Sequence, residues 1–538
     1  MTTIFRRGLT RALMAATFAT VLAGSAAAQT VLNRGNGAEP QTLDPQRATG
    51  VPESNILRDL FETLTTNAVD GKTVPGAAES WTFSGDGLTL TFRMRADGKW
   101  SNADPVTAED FVFAFRRLVD PQTASRFAWL AKPIVNADAI TKGQKPIDQL
   151  GVSAPDARTL VVRLESPTPY IVDALKHNAF APVHRPTLQQ HGQQFTRPGN
   201  LVTNGAYRLT EWVPQSHVRL EKNANFHDAA GVRIPTVMHF PTVDRAQEVT
   251  RYRAGELDWT YELPVDQIQP LAQSMKDHFS NELYFGTYYL TLQVQKAPYS
   301  DPRVRAALAM AIDRKTIVEQ ITRGGEIPAY SWVPPGANDG AVAYDLQVAD
   351  FKDWPMQRRV AEARKLIADA GFTARNPLKV EFLFNTNDTH RRIGIGLASM
   401  WEEAFGNGVV QTELRNVEWQ VYLDSTARGE FGMARAGWIG ATFPDASYFL
   451  EKFKGDAGEA NTSKWANPEY DRLLEAAMRE PNPQKRQDMM EQAEQVMLKD
   501  MPIIPIYHYT RARLIRPTLT GWVRNPQDVA PSRYMVFK

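Results

Sequence analysis

Cysteine is absent from all 538 residues of the chain. This absence excludes thiol nucleophiles, cysteine-ligated zinc, iron–sulfur clusters and disulfide bonds. The fold must therefore be stable without covalent cross-links, and the length allows about three domains that each bury a core of their own. Glycine and proline, at 34 and 35 residues, are close to average usage, so the chain is neither collagen-like nor of low complexity.

An excess of charge of one sign and long apolar runs are lacking as well. Lysine and arginine number 61, aspartate and glutamate number 60, and the formal net charge is +1. That balance gives no support to a nucleic-acid partner, whose phosphates are neutralised by many basic residues. After the N-terminal segment no stretch reaches about 18 uninterrupted apolar residues, the length that a transmembrane helix needs. We therefore expect no membrane span in the mature chain.

The first 28 residues have the three-part pattern of a secretory signal peptide. Arginines stand at positions 6, 7 and 11, residues 12–23 are apolar apart from two threonines, and three alanines follow at 26–28. An apolar run of this length is too short to cross a bilayer, which makes a retained anchor or an amphipathic helix the weaker alternative. We expect cleavage near Ala28 and export to a bacterial periplasm. No cysteine follows the run, so a lipid anchor is not expected.

Hydrophobic periodicity predicts a strand-rich first half. Leu88–Arg95 alternates strictly between apolar and polar residues, which is typical of a strand with one face on a core. Thr107 followed by Asp110 resembles a capping box, with the threonine hydroxyl accepting a free backbone N–H, and predicts a helix over Ala108–Leu118. A second strand is expected at Thr159–Leu164.

The second half has the pattern of an α/β region. Helices are expected from Asp301-Pro302 onward and at Gln357–Ala370, Arg391–Phe405, Pro468–Met478 and Pro483–Leu498. Strands are expected at Leu378–Phe384 and Val409–Leu414, and an apolar run follows at Pro502–Tyr509. The strand–helix–strand order within this region predicts a parallel sheet.

Motifs of the common enzyme classes are missing. The chain has no G-x-S-x-G nucleophile elbow, no P-loop and no H-E-x-x-H pair. The glycines at 35 and 37 begin like a dinucleotide-binding loop, but the third glycine of that motif is absent. The nine histidines are scattered, so no metal cluster is predicted. We expect neither cofactor nor metal, and only a hydrolase without a recognisable motif stays open as an enzyme.

Aromatic residues lie where a ligand cleft would use them. Trp419, Trp438, Tyr507 and Tyr509 are close to predicted strand ends or loops rather than on an amphipathic face. Rings with a polar tip give a large contact area at low entropy cost, which suits a hydrated cleft. Packing in a core or between domains explains any single one of them about equally well.

A set of short motifs runs along the chain in a fixed order. It comprises Trp81–Leu118 with Asp97-Gly98-Lys99-Trp100-Ser101 and Pro105-Val106-Thr107-Ala108-Glu109-Asp110-Phe111, then Asn204-Gly205-Ala206-Tyr207, Ala434-Arg435-Ala436-Gly437-Trp438 and Ala512-Arg513-Leu514. In these motifs the chain resembles the peptide/nickel class (family 5) of ABC-importer substrate-binding proteins, and most of all its oligopeptide-binding members. The resemblance extends over essentially the whole chain after residue 28.

The resemblance implies an α/β fold of the bilobal periplasmic-binding-protein type (class II, the Venus-flytrap architecture) with an extra inserted domain, three domains in all. The first domain would be discontinuous and formed by residues 29–65, 190–281 and 511–538. The second would be the insertion 66–189, which contains the signature, and the third the α/β lobe 282–510. A ligand would be enclosed between the first and third domains, which swing about connecting strands.

The resemblance also implies a set of ligand-binding residues. These are Glu39, Gln41, Phe127, Tyr261, Glu262, His390, Trp419, Arg435, Gly437, Trp438, Ile439, Thr442, Tyr507 and Tyr509. Arg435 and His390 match family candidates near the carboxylate end of a ligand, where a charge-assisted hydrogen bond is worth about 1.5–3 kcal/mol. The alternative for Arg435 is a buried ion pair that braces its lobe.

The segment after Trp438 departs from the family pattern. Oligopeptide binders usually place an aspartate shortly after the matching tryptophan, where it receives the α-amino group of the ligand. Ala441 or Thr442 stands at that position here, and neither forms an ion pair. A buried ammonium without an anionic partner is costly. Either Glu39 or Glu262 substitutes for the missing acid, or the ligand has no free amine.

Three hypotheses follow. The first is a monomeric, non-enzymatic periplasmic binding protein that captures oligopeptides between two lobes and delivers them to the membrane permease of an ABC importer. The second keeps this role but changes the ligand to an amine-free or modified peptide-like solute, such as a murein peptide or an opine-like compound. The third is an exported hydrolase or chaperone that uses the same cleft.

Overall fold

The computed structural model describes residues 31–168, 170–337, 342–440, 444–480 and 482–538, so the predicted signal peptide lies outside the described residues. Its helices of seven or more residues are Val51–Leu60, Ala108–Val119, Arg185–His191, Arg245–Ala254, Ile268–Ser274, Pro302–Met310, Met356–Asp369, Asp388–Phe405, Trp419–Arg428, Pro468–Ala477 and Pro483–Asp500. Within this described part, every helix is too short or too polar to cross a membrane.

The first sheet joins segments that are far apart in the sequence. Its strands, in spatial order, are Val31–Gly35, Thr236–Phe240, His217–Lys222 and Tyr207–Val213. The first two run parallel and the other pairs antiparallel. The start of the described chain is thus held beside a strand about 200 residues later.

The second sheet is antiparallel and lies wholly within residues 78–163. Its strands, in spatial order, are Ala78–Phe83, Thr89–Met94, Thr159–Arg163 and Val152–Asp156. Leu90, Phe92 and Met94 are buried, so the strict alternation read from the sequence marks the core face as predicted. The adjacent helix Ala108–Val119 is also confirmed together with its capping box, in which the Thr107 side chain accepts from the Asp110 backbone N–H and the Thr107 backbone N–H donates to the Asp110 carboxylate at 2.7 Å.

The third sheet is mixed and forms the centre of the second half. Its strands, in spatial order, are Ile327–Pro328, Ile503–Leu514, Phe279–Leu292, Met433–Ile439, Leu378–Asn385 and Val410–Val417. The last two pair in parallel and are connected by helix Asp388–Phe405, which confirms the predicted strand–helix–strand unit. The apolar run predicted at Pro502–Tyr509 forms most of a buried strand.

Two long antiparallel strands of this sheet connect the two halves of the molecule. Phe279–Leu292 and Ile503–Leu514 pair along their length, with an irregular register between Leu283 and Thr287. The predicted domain limits at 281/282 and 510/511 fall inside these two strands, and the domain limits themselves stay predictions. The α/β, bilobal fold expected from the sequence is confirmed.

Candidate ligand-binding cavity

A cavity of about 370 Å³ lies between the third sheet and the segments that surround the first two sheets. Its volume falls in the range of small-molecule sites. One side is formed by residues between 37 and 67, 126 and 127, 176 and 178, and 242 and 268. The predicted ligand-binding residues that line it are Phe127, Tyr261, Glu262, His390, Trp419, Arg435, Gly437, Trp438, Ile439, Tyr507 and Tyr509.

Tyrosine rings form a rigid aromatic surface at one end of the cavity. Tyr507 and Tyr509 are two residues apart on strand Ile503–Leu514, so both point to the same face of the sheet. Tyr507 stacks on Tyr288 of the neighbouring strand with ring centroids 4.8 Å apart, and Tyr509 meets Tyr507 edge-on at 5.3 Å. These contacts hold the rings in place before any ligand arrives.

Arg435 projects into this aromatic surface from strand Met433–Ile439. Its Nε donates to the Asn385 Oδ1 atom over 2.8 Å, and the guanidinium carbon lies 5.2 Å from the ring centre of Tyr422 and 5.8 Å from that of Trp419. Arg435 makes no ion pair with any described carboxylate. The bracing ion pair considered from the sequence is therefore not formed with the described residues, and the positive charge faces the cavity.

His390 lies next to Arg435 and is uncharged. It is the third residue of helix Asp388–Phe405, and its backbone N–H donates to the side chain of the N-cap residue Asn387. Its Nδ1 atom is 3.5 Å from the Tyr288 hydroxyl. Burial, and then the charges of Arg435 and Arg245, hold its pKa well below the ordinary value for histidine. The imidazole can therefore exchange hydrogen bonds with a ligand but adds no charge.

Glu262 is the centre of a paired charge cluster formed with Arg245, Arg511 and Asp528, which we call the Glu262 cluster. Both guanidinium groups contact the Glu262 carboxylate, Arg511 at 2.6 Å, and Arg511 Nε also lies 3.3 Å from Asp528. Burial alone would raise the pKa of Glu262, but Arg245 and Arg511 lower it overall. Each cation of this cluster has an acidic partner.

The Gly-Asn-Gly segment at 35–37 serves packing beside this cluster. Gly37 has φ +71°, a conformation that favours glycine, and a Cβ atom there would lie 2.7 Å from the Tyr261 ring. The glycine thus allows Tyr261 to close over the cavity, with the Arg511 guanidinium 4.8 Å from its ring centre.

The other end of the cavity, which we call the Trp438 end, consists of Arg58, Phe127, Trp438, Tyr448 and Lys452. Trp438 stacks on Tyr448 with centroids 5.4 Å apart and donates its indole N–H to the Tyr448 carbonyl at 3.0 Å. The Phe127 ring, from the opposite side of the cavity, lies 6.1 Å from Trp438. This aromatic packing joins the two halves.

Lys452 carries the most isolated charge at the Trp438 end. Its side chain is only 4% exposed, its ammonium donates to the Ala460 carbonyl, and the Nζ atom lies 4.3 Å from the Trp438 ring centre. Burial, followed by the positive charges of Arg126 and Lys464, lowers its pKa to about 7. No described carboxylate lies within ion-pair distance of it.

Arg58 is the second cation at this end. Its Nη1 atom donates to the side-chain oxygen of Asn55 at 3.3 Å, and it too lacks an ion-pair partner in the described part of the chain. Burial, and then the charge of Arg58, lowers the pKa of His177 to about 3. The Trp438 end therefore combines aromatic surface with positive charge.

Glu39 and Gln41 are not among the described residues that line the cavity. The Glu39 carboxylate accepts hydrogen bonds from the Trp212 indole at 2.7 Å and from the backbone N–H of Gln215 at 2.9 Å. The Gln41 backbone N–H donates to the buried Glu53 at 2.7 Å. Thr442 lies outside the described residues. Glu39 and Gln41 therefore hold the loop rather than face a ligand here.

Sequence reasoning missed several polar residues that the fold brings to the cavity. These are Arg58, Arg245, Asn385, Lys452 and Arg511. Only Lys452 had a local signal, because Glu451-Lys452 interrupts an otherwise apolar stretch from Tyr448 to Phe453. Among the described residues no three histidine, aspartate or glutamate side chains are grouped to hold a metal ion.

Direct contacts cross the cavity between its two sides. Arg245 Nη1 donates to the Thr389 hydroxyl at 2.6 Å, and Arg126 Nε lies 3.3 Å from the Glu459 carboxylate. Such contacts require the two sides to be close, so the structure represents a closed arrangement.

Comparisons with known proteins agree on one family. The family model described as bacterial extracellular solute-binding proteins, family 5 Middle, matches residues 72–461. The periplasmic oligopeptide-binding protein OppA of Salmonella typhimurium is 40% identical over 529 residues, which are 97% of this chain and 96% of that protein. The periplasmic murein peptide-binding protein MppA of Escherichia coli is 38% identical over 500 residues, 92% of this chain and 91% of that protein.

Solved structures separate two arrangements of the fold. Haemophilus influenzae OppA in complex with RPPGFSPFR has a TM-score of 0.91 at 36% identity, covering 94% of this chain and 99% of that one. The Escherichia coli murein tripeptide binding protein MppA also gives 0.91, at 38% identity and with 94% and 98% covered. Its unliganded open form gives only 0.65 at the same identity, with 94% and 97% covered. The closed arrangement inferred from the cavity contacts is thus the one shared with the peptide complex.

Proposed function

Because this chain belongs to family 5 of the bacterial extracellular solute-binding proteins, we propose that it captures oligopeptides between its two lobes and delivers them to the membrane subunits of an ABC importer. One observation carries the proposal. An enclosed cavity lies between the two halves, and their arrangement matches that of a relative in complex with a peptide and not the open form of another relative.

The backbone of a peptide would be recognised at the edge of strand Met433–Ile439. This strand pairs with Leu378–Asn385 only through Met433 and Ala434, so residues 435–439 have no strand partner on that edge within the described chain. These residues line the cavity. An extended peptide can add to such an edge through main-chain hydrogen bonds, which give affinity without selecting side chains.

The carboxylate end of the peptide would bind at Arg435. The guanidinium faces the cavity, and its described hydrogen-bond partner is the neutral Asn385 amide, so its charge is not neutralised by an acid. A carboxylate there would form a charge-assisted hydrogen bond worth about 1.5–3 kcal/mol. His390, as a neutral imidazole beside it, would complete the hydrogen bonding.

Ligand binding would favour the closed form by population shift. The contacts between Arg245 and Thr389 and between Arg126 and Glu459 cross the cavity and are lost when its sides separate. A peptide touches both sides only when they are close, so it binds the closed form more tightly than the open one. The membrane subunits would distinguish the two forms.

Location and chemistry complete the proposal. Residues 1–28 would direct export and be removed near Ala28, leaving a monomer in the periplasm, the location named for the relatives. The chain itself would catalyse no reaction, and transport would be driven by ATP hydrolysis in other subunits.

The second candidate is a peptide-like solute without a free amine, and the positive charges of Lys452 and Arg58 at the Trp438 end favour it. An exported hydrolase or chaperone is the candidate from a different class. Incubation of the protein with bound peptides, followed by mass spectrometry, distinguishes a hydrolase from a binding protein, because a hydrolase would cleave the peptides and a binding protein would return them intact.

The direct test uses protein freed of bound molecules by unfolding and refolding. Titration calorimetry with a pool of tri- to pentapeptides should give heat with micromolar or tighter binding, and small-angle scattering should show a smaller radius of gyration on saturation. Mass spectrometry of the molecule that co-purifies with the protein, taken before the unfolding step, would identify the natural ligand. Saturable binding with an unchanged scattering profile would contradict capture by closure, and no binding from any pool would contradict peptide capture.

A further inference from the structure

The Trp438 end of the cavity has positive charge that the described protein does not neutralise. Lys452 is almost fully buried and rests on the faces of Trp438 and Phe453, with Nζ to ring-centre distances of 4.3 and 5.4 Å. Its hydrogen bond goes to a backbone carbonyl, that of Ala460. An ammonium has three N–H donors, and Lys452, which lines the cavity, uses one of them in this bond.

The acids that could neutralise this end are engaged elsewhere. Glu459 pairs with Arg126 at 3.3 Å. Asp445 forms a buried, bidentate ion pair with Arg486, with N–O distances of 2.8 and 2.9 Å. Glu39 accepts two hydrogen bonds outside the cavity. Glu451, the neighbour of Lys452, is buried and does not line the cavity, so the described lining residues offer no free carboxylate at the Trp438 end to receive an amine.

Burying a cation without an anionic partner is unfavourable, and the interaction with aromatic faces offsets only part of that cost. Arg58 brings a guanidinium to the same end; its hydrogen bond goes to a neutral amide, and Asp59 and Asp528 act on it only from beyond ion-pair distance. The positive charge of this end repels a ligand ammonium and attracts an anion.

We propose that the Trp438 end is an anion subsite, in which Lys452 binds a carboxylate of the ligand and the charge of Arg58 adds to the attraction. The preferred ligand is then a peptide-like solute that carries an acidic group, rather than a free α-amine, at the end that contacts Trp438. The inference rests on the proposed function, because it assigns the guest of the same cavity.

The test is a competition between three pools of the same tri- to pentapeptides. One pool has free amino ends, one is N-acetylated and neutral at that end, and one is N-succinylated and carries a carboxylate there. Ligand-free protein is equilibrated with all three pools at equal concentration, and the retained peptides are counted by mass spectrometry. We expect at least tenfold enrichment of succinylated over free-amine peptides, with acetylated peptides between them.

Variants of Lys452 test whether the Trp438 end causes the preference for succinylated peptides. Lys452→Met keeps the length of the side chain and removes its charge, so the enrichment should fall at least fivefold, and Lys452→Arg should retain most of it. Lys222→Met is the matched control, because the Lys222 ammonium also donates to a backbone carbonyl, that of Val232 at 2.9 Å, but lies away from the cavity. It should leave the enrichment unchanged.

Each outcome separates this inference from the proposed function. Retention of free-amine peptides at or above the level of succinylated ones overturns the anion subsite and leaves peptide capture intact. Enrichment of succinylated peptides that persists in Lys452→Met and in Arg58→Met places the anion elsewhere and also overturns it. Retention from none of the pools contradicts peptide capture itself.

Discussion

Two charged regions face the same cavity and are built in opposite ways. In the Glu262 cluster every guanidinium has a carboxylate within ion-pair distance. At the Trp438 end, Lys452 and Arg58 interact with aromatic faces, a carbonyl and an amide, and neither has a described acid within ion-pair distance. The difference teaches that charges paired within the protein support the closed fold. Charges without an ion-pair partner in the protein are available to a ligand. Arg435 belongs to the second kind.

The largest expected effect is a loss of stability when an ion pair of the Glu262 cluster is removed. Glu262→Gln leaves Arg245 without its acid and Arg511 with Asp528 alone. Removing one partner of a fully buried ion pair costs about 3–5 kcal/mol. Because the Glu262 side chain is 28% exposed, the free energy of unfolding from denaturant titration should fall by up to that amount. Lys452→Met should cause no such loss, because it removes a buried charge that has no acidic partner. Equal losses in the two variants would mean that the regions do not differ.

The next effect concerns the aromatic surface of the Trp438 end. Trp438→Ala removes the ring that contacts Phe127, Tyr448 and Lys452, and buried tryptophans at the centre of binding sites contribute about 2–4 kcal/mol. Affinity for the retained peptides should therefore fall about 100-fold in calorimetry. Trp354→Ala, at a tryptophan that stacks under Arg358 outside the cavity, is the control and should bind normally. Unchanged affinity in Trp438→Ala would exclude this end from binding.

A smaller effect is expected at the unpaired Arg435. Arg435→Met should weaken binding of peptides with a free carboxylate by about 1.5–3 kcal/mol, which is roughly 10- to 150-fold. Peptides whose carboxylate is converted to an amide should bind both proteins alike, because they offer no anion to the guanidinium. A loss of equal size for both kinds of peptide would show that Arg435 supports the fold of the cavity instead.

The smallest effect is the pH dependence of Lys452. Its pKa of about 7 in the folded protein is below the value of about 10.4 in an unfolded chain, so above pH 7 the folded state binds fewer protons and its stability rises with pH. Between pH 7 and pH 8 the wild type should gain about 1 kcal/mol relative to Lys452→Met. The charged groups near Lys452 are Arg126 and Lys464, with Glu459 paired to Arg126, and the difference between the two proteins cancels every group that titrates alike in both. If the difference in the free energy of unfolding between the two proteins does not change with pH, Lys452 has an acidic partner in solution.

Local pattern was sufficient for much of the fold. Thr89–Met94 and Leu378–Asn385 were recognisable because a strand repeats every two residues, and Asp388–Phe405 because a helix repeats every 3.6. The start of that helix was missed by three residues, since its cap depends on the Asn387 side chain rather than on periodicity. Trp419, Trp438, Tyr507 and Tyr509, singled out as cleft aromatics, do line the cavity, whereas its other aromatics Tyr284, Tyr289, Tyr422 and Tyr448 were missed.

The polar half of the cavity was not accessible to the same reasoning. Arg511 meets Glu262 across 249 positions of the sequence, and Arg58 reaches the cavity from a helix with no distinctive motif. The family resemblance implied that Glu39 lies in the cavity, yet its carboxylate is used by Trp212 and Gln215. No short window of sequence contains these pairings.

The sequence by itself determined the family, the regular elements and the aromatic character of the binding site, because each of these depends on neighbours along the chain or on motifs of fixed spacing. Only the tertiary structure decided which charges are paired and which face the cavity unpaired. The physical reason is that the energy of a charge depends on its distance from other charges and on its burial, and both are set by residues that folding brings together from hundreds of positions apart.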